Sequence, residues 1–262
     1  MRIKRAGDQA SKRPLIRELS ERPKRLFAIG DIHGHAAELD TLLDYIMKTK
    51  NIGQDDLMIF VGDYIDRGPQ SKQVIDRLLE LRRTWPQTIF LRGNHEDMLL
   101  SFLGLGGEGG EFYLKNGGAE FFASYDLEPA GSLVELRARL PAEHIHFFTS
   151  LEYGVILAEF LFVHAGVAPK RKLSQQTPSD LLWIRKEFIQ SPHRIGKTVV
   201  FGHTAFNQIH IELPYRIGID TGVAYGNQLS AVELVHGELF QVEVGENVVK
   251  EGSLRDLLAS RP

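Results

Sequence analysis

Six side chains of metal-binding type stand at the ends of apolar runs in this chain. They are Asp31 and His33 in "AIGDIHG", Asp63 in "FVGD", Asn94 in "LRGNHE", His164 in "FVHAG" and His203 in "FGHT". Carboxylate, imidazole and amide oxygen together suit Mn, Fe or Zn, and the set is too rich in imidazole for a calcium site. Six ligands are too many for one catalytic ion. They match two divalent ions about 3.5–4 Å apart sharing one carboxylate, most naturally Asp63, an arrangement that activates water against a phosphorus centre. One Asp or His at a strand end is ordinary, but the same pattern at five strand ends makes a site.

The elements that must carry these residues follow from periodicity. "RLFAI", "DLMIFVGD" and "QTIFLRGNHE" are short buried strands. Between them, Leu39, Leu42, Leu43, Ile46 and Met47 form one helical stripe, and Val74, Ile75, Leu78 and Leu79 form another behind a Ser71 cap. Strand alternating with helix predicts an α/β fold whose strands share a C-terminal edge, where sites assemble. Glycine-rich "GLGGEGGEFYLKNGG" breaks the alternation, and 104–150 is expected to be a helical, Gly-rich insert bordering the cleft. The second half is strand-dense, with one helix, "PSDLLWIRKEFI", and a final hairpin turning at His236-Gly237. The expected division is a basic N-terminal extension over 1–24, a catalytic domain over 25–250 and a tail over 251–262.

Composition narrows the chemistry. With no cysteine among 262 residues, thiolate nucleophiles and Cys-ligated zinc are excluded, and the absence of disulfides fits a reducing compartment; a cytoplasmic location is expected. The net charge of -3 gives no reason to expect nucleic acid as a partner, and no apolar run is long enough to span a membrane.

The blocks "GDIHG", "GDYIDRG", "GNHE", "HAG" and "GHT", in this order, resemble the signature of the phosphoprotein phosphatase family of calcineurin-like metallophosphoesterases, over about Leu26 to Val244. "LLWIR" and "IDTGVAYGNQLSAVEL" resemble its bacterial-type serine/threonine protein phosphatase branch. The resemblance implies two mixed sheets flanked by helices and two divalent ions, Mn first, with Fe or Zn as alternatives. It implies that Asp31, His33 and Asp63 hold one ion, and that Asp63, Asn94, His164 and His203 hold the other. A metal-bridging hydroxide would attack phosphorus in line. His95 would be the general acid, oriented by Asp66. Arg67, Asn94 and Arg185 would bind the phosphate.

The implied substrate is a phosphoserine or phosphothreonine protein. Symmetrical dinucleoside-tetraphosphate hydrolases, which share these blocks but usually carry Gln at the position of His33, are the alternative, with small-molecule phosphoesterases. A non-catalytic metal-binding scaffold is a further reading, countered by the presence of every ligand and of the acid. His35 is not expected to touch substrate, Glu96 is expected to start a helix or support the ligands, and Tyr225 roughly matches a loop bordering the site. His144 and His146 fall outside the motifs and are expected to be surface or packing residues.

Overall fold

The structure is a computed structural model that describes residues 14–85 and 87–259. The chain opens with β1 (Arg17–Leu19), β2 (Leu26–Ile29), α1 (Ala36–Thr49), β3 (Leu57–Phe60), α2 (Ser71–Thr84), β4 (Thr88–Phe90) and α3 (Asn94–Phe102). Three short helices follow, α4 (Gly118–Ser124), α5 (Leu133–Arg139) and α6 (Ala142–Ser150), and then β5 (Gly154–Leu157) and β6 (Phe160–Val163). The remainder is α7 (Pro178–Trp183), α8 (Lys186–Ile189), β7 (Thr198–Phe201), β8 (His210–Glu212), β9 (Arg216–Gly218), β10 (Gln228–Glu233), β11 (Glu238–Glu243), β12 (Lys250–Ser253) and α9 (Leu254–Ala259).

Two six-stranded mixed sheets result, in the orders β12-β11-β10-β2-β3-β4 and β1-β5-β6-β7-β9-β8. Both faces of the central strands are covered, which is why they read as unbroken apolar runs. Alternate residues of β2 serve two layers. Phe27 and Ile29 pack with Leu39, Leu42 and Ile46 of α1 and Val74 and Leu78 of α2. Leu26 and Ala28 face the second sheet and join Val155, Phe162, Val200 and Ile217. Burying a Leu or Phe side chain fully contributes roughly 1.5–3 kcal/mol. The two layers therefore fix the strand register, because a one-residue slip would exchange them. The expected two-sheet sandwich flanked by helices is what forms.

Four local expectations are corrected. Arg17–Leu19, expected to lie in a loose basic extension, forms an edge strand parallel to β5, with Arg17 gripping Glu152 through two hydrogen bonds of 2.7 and 2.8 Å. Residues 1–13 of that extension lie outside the described residues. At the other end the expected tail contains β12, which extends the first sheet antiparallel to β11, and α9. The single helix expected from "PSDLLWIRKEFI" breaks at Arg185, whose backbone (φ -132°, ψ -99°) leaves the helical region. Its guanidinium donates to the His203 carbonyl, so the break places this side chain at the site edge. Ser71 likewise does not cap α2. It is the first helical residue, and its Oγ accepts from the Asp66 N–H at 2.9 Å.

Candidate active site

β2, β3 and β4 run parallel in one sheet, and β6, β7 and β9 run parallel in the other. Their C-terminal ends meet at one edge. Asp31, His33, Asp63, Asn94, His95, His164 and His203 are all buried there. The turns that bring them inward are strained. His33, Asp63, Asp66, Arg67 and His203 all adopt left-handed backbone, with φ from 45° to 72°. A non-glycine residue pays roughly 1–2 kcal/mol for that conformation, so the surrounding fold holds the site in a geometry its local sequence disfavours.

Glycines beside the ligands make room for the site at two places. Cβ atoms built at Gly93 and Gly202 would collide with the carboxylate oxygens of Asp63 and Asp31. Bare backbone there makes room for the two acids.

Hydrogen bonds set the imidazole tautomers. Nδ1–H of His33 donates to the Ile65 carbonyl and Nδ1–H of His164 to that of Val61, each at 2.9 Å, leaving both Nε2 lone pairs facing the site. Burial lowers His33 and His203 well below the ordinary imidazole range, which keeps them neutral, as ligation requires. Asp63 stands between two groups: Oδ2 is 3.5 Å from His33 Nε2, and Oδ1 is 3.4 Å from His164 Nε2. Two clusters of candidate ligands, His33–Asp63–His95 and Asp63–His164–His203, share this one carboxylate.

The residues fit cations on three observations. Asp31 Oδ1 and His203 Nε2 are buried without a hydrogen-bond partner. His164 Nε2 faces the acceptor Asn94 Oδ1 at 2.9 Å while its Nδ1 faces the Val61 carbonyl, so a ring with one proton would leave one of the two contacts lone pair against lone pair. Asp31, Asp63 and Asp220 are buried within each other's electrostatic reach, and burial together with the charges of Asp220 and Asp63 pushes the Asp31 carboxyl well up. A divalent ion removes each conflict.

Beside this set lies an acid–base pair. His95 Nδ1–H donates to Asp66 Oδ2 at 2.6 Å. Burial alone would lower the His95 imidazole, but the negative charge of Asp63 and the Asp66 bond outweigh it and raise it. Glu96 supports from below: its carboxylate accepts the Gly93, Asp63 and Tyr64 N–H groups at 2.8–3.0 Å. It closes the first turn of α3 while pinning the Asp63 turn. Burial and the Asp63 charge push Glu96 up to about 7.

Arg67 is half-buried and its Nη1 reaches His33 Nε2 at 3.2 Å and the Tyr225 hydroxyl at 3.3 Å. Arg185 is exposed and lies at the same edge through its 2.8 Å bond to the His203 carbonyl. All ten residues singled out from the sequence for metal, phosphate or proton chemistry are thus in or beside one cluster. His35 lies outside it, with Nδ1 directed at the carbonyls of Ile32 and His33 at 3.1 and 2.8 Å. His144 is buried and bonded to Tyr125 (2.7 Å) and Asp76 (3.0 Å), whereas His146 is exposed.

Two participants escaped the sequence reading. Asp220 follows β9 in "GIDTG" as Asp31 follows β2, so the strand-end rule could have found it; its Oδ1 accepts the Gly222 N–H at 2.9 Å. Tyr113, inside the glycine-rich insert, donates to Asp66 Oδ1 at 2.8 Å and gave no comparable signal.

Comparison with known proteins adds the family. A profile described as Calcineurin-like phosphoesterase matches residues 24–237. Serine/threonine-protein phosphatase 2 of Escherichia coli (strain K12) is 30% identical over 215 residues, covering 79% of this chain and 91% of that protein. The asymmetrical bis(5'-nucleosyl)-tetraphosphatase PrpE of Anoxybacillus flavithermus is 26% identical over 242 residues, 82% of this chain and 92% of that one. Among solved structures, a cold-active protein tyrosine phosphatase at 18% identity aligns with a TM-score of 0.61 over 91% of this chain and 80% of that chain, a likeness of fold.

Proposed function

Because the chain belongs to the calcineurin-like phosphoesterase family, we propose that it is a two-metal phosphomonoesterase acting on phosphoserine and phosphothreonine in proteins. Asp31, His33 and Asp63 would hold one divalent ion, and Asp63, Asn94, His164 and His203 the other, with Mn the first candidate. Ions bound there supply Lewis-acid charge at the phosphoryl oxygens and a water acidic enough to react near neutral pH.

The chain's own residues do the rest. Arg67, Asn94 and Arg185 orient the phosphoryl oxygens and meet the charge that grows on them in the transition state. As a water oxygen bonds to phosphorus, the bond from phosphorus to the ester oxygen breaks. His95 passes its Nε2 proton to that departing oxygen, while Asp66 holds the ring through Nδ1 and stabilises its positive charge.

The His95–Asp66 bond of 2.6 Å carries the choice of substrate. A serine or threonine alkoxide is a poor leaving group and needs a proton as it departs, so a buried, oriented acid has its largest effect on such esters. A phosphoanhydride releases a nucleotide phosphate that is stable without one. The relatives named as nucleotide hydrolases favour a second reading, hydrolysis of dinucleoside tetraphosphates, and theirs is the asymmetrical type rather than the symmetrical type expected from the motifs. The deciding measurement is kcat/KM for a phosphoserine peptide against diadenosine tetraphosphate with Mn(II) present. The peptide should be preferred at least tenfold, and a preference for the nucleotide would transfer the assignment to it.

A further inference from the structure

Tyr113 sits between two 3-10 turns, Gly110–Phe112 and Leu114–Asn116, in a segment expected only to border the cleft. It is instead fully buried, as is Asp66. Its hydroxyl donates to Asp66 Oδ1 at 2.8 Å, while Oδ2 of the same carboxylate receives His95 Nδ1–H at 2.6 Å. Each oxygen of the acid therefore has its own donor, one from the insert and one from α3.

The frame around this pair is rigid. The Tyr113 ring has Phe102, Phe122 and Phe121 at centroid distances of 5.5, 6.2 and 6.4 Å. The Asp66 backbone is held in left-handed conformation with its N–H on Ser71 Oγ. What this leaves free is the terminal carboxylate torsion of Asp66, which is intrinsically broad and nearly two-fold. A donor on Oδ1 removes that freedom and aims Oδ2 at the imidazole.

We propose that Tyr113 is a positioning residue for proton delivery: through Asp66 Oδ1 it fixes the carboxylate, and the carboxylate fixes the His95 ring so that Nε2 faces the departing oxygen. The insert then acts on the chemistry from within as well as bordering the cleft. This rests on the phosphomonoesterase reading above.

Tyr113→Phe removes only the hydroxyl and leaves the ring in its aromatic setting. In the full-length, Mn-loaded protein, kcat/KM for a phosphoserine peptide should fall about tenfold, a share of the 10²–10⁴-fold that a general acid contributes. For p-nitrophenyl phosphate, whose leaving group departs without a proton, the loss should stay below about twofold. Equal losses on both substrates, or none on either, would overturn the proposal. In a His95→Gln background, Tyr113→Phe should cost nothing more; a further independent loss means that Tyr113 acts by another route. A readout independent of turnover is the solvent exchange of the His95 Nδ1 proton, identified in NMR spectra by its loss in His95→Gln. Exchange should be several-fold faster in Tyr113→Phe, and an unchanged rate overturns the positioning role. If the wild-type protein hydrolysed no phosphoester, the functional reading would fail, while the exchange rate would still decide the structural claim.

Discussion

Asn94 Oδ1 lies 2.9 Å from His164 Nε2 while His164 Nδ1 faces the Val61 carbonyl at 2.9 Å, so a ring that gives its proton to Val61, as a metal ligand must, sets two acceptors against each other. Two buried acceptors in contact are unfavourable unless a cation lies within reach of both. Chelation should therefore cost stability as well as activity. EDTA should abolish hydrolysis of p-nitrophenyl phosphate and lower the thermal midpoint, and Mn(II) should restore both. A free-ion concentration one hundred times Kd stabilises by about 2.7 kcal/mol. Calorimetry with and without chelator checks this, and an unchanged midpoint in the metal-free protein would contradict it.

The Asp31 carboxylate fills the space that a Cβ at Gly202 would take. Gly202→Ala should displace Asp31 and weaken metal binding about 10–100-fold, the cost typical of disturbing what supports a ligand. Titration of the metal-free variant with Mn(II), followed by heat or by bound-metal analysis, gives the number. Wild-type affinity in the variant would show that Asp31 does not need this place.

Arg67 offers a planar fork to the phosphate position, braced by Tyr225. Arg67→Ala should reduce kcat/KM about 10²–10³-fold, comparable to losing one donor to a developing oxyanion. Arg67→Lys should recover only part, since an ammonium lacks the two-pronged geometry. The side chain is half-exposed, so the thermal midpoint should hardly move. Tyr225→Phe, which loses only the 3.3 Å contact, should change kcat/KM less than threefold, about the worth of a weak exposed bond.

Away from the site, burial lowers the His144 imidazole below its ordinary value although Asp76 pulls the other way. The unfolded chain then binds more protons than the folded one between the two values. The contribution of His144 is complete above about pH 6.5 and is lost as pH falls through that window, by at most about 1.4 kcal/mol per pH unit for one proton. Urea midpoints of the wild type should drop between pH 7.5 and 5.5 more than those of His144→Phe. Parallel curves for the two proteins would assign the acid sensitivity to other groups.

The ligand residues were legible because a strand end is a local event. An apolar run followed by Asp, Asn or His marks both the strand and the residue that leaves its tip, and parallel pairing then obliges the tips to meet. The same rule would have reached Asp220 had it been applied to a sixth strand. β1 was not legible, because three residues with exposed charges become a strand only when β5 supplies the partner. The break at Arg185 was also hidden, since the apolar spacing of "LLWIRKEFI" fits one helix and only the position of the His203 carbonyl makes the break worthwhile.

By themselves, periodicity and residue type along short stretches determined an α/β fold, the chemical type of the site and the ten side chains gathered there. The two-sheet sandwich came from the resemblance of the motifs, and Asp220 and Tyr113 from neither. Only the tertiary structure decided how Asp63 divides its two oxygens between His33 and His164, and that the insert reaches Asp66 through Tyr113. Both are angular relationships between side chains far apart in the chain. They are set by how the two sheets and the insert pack, which no local pattern encodes.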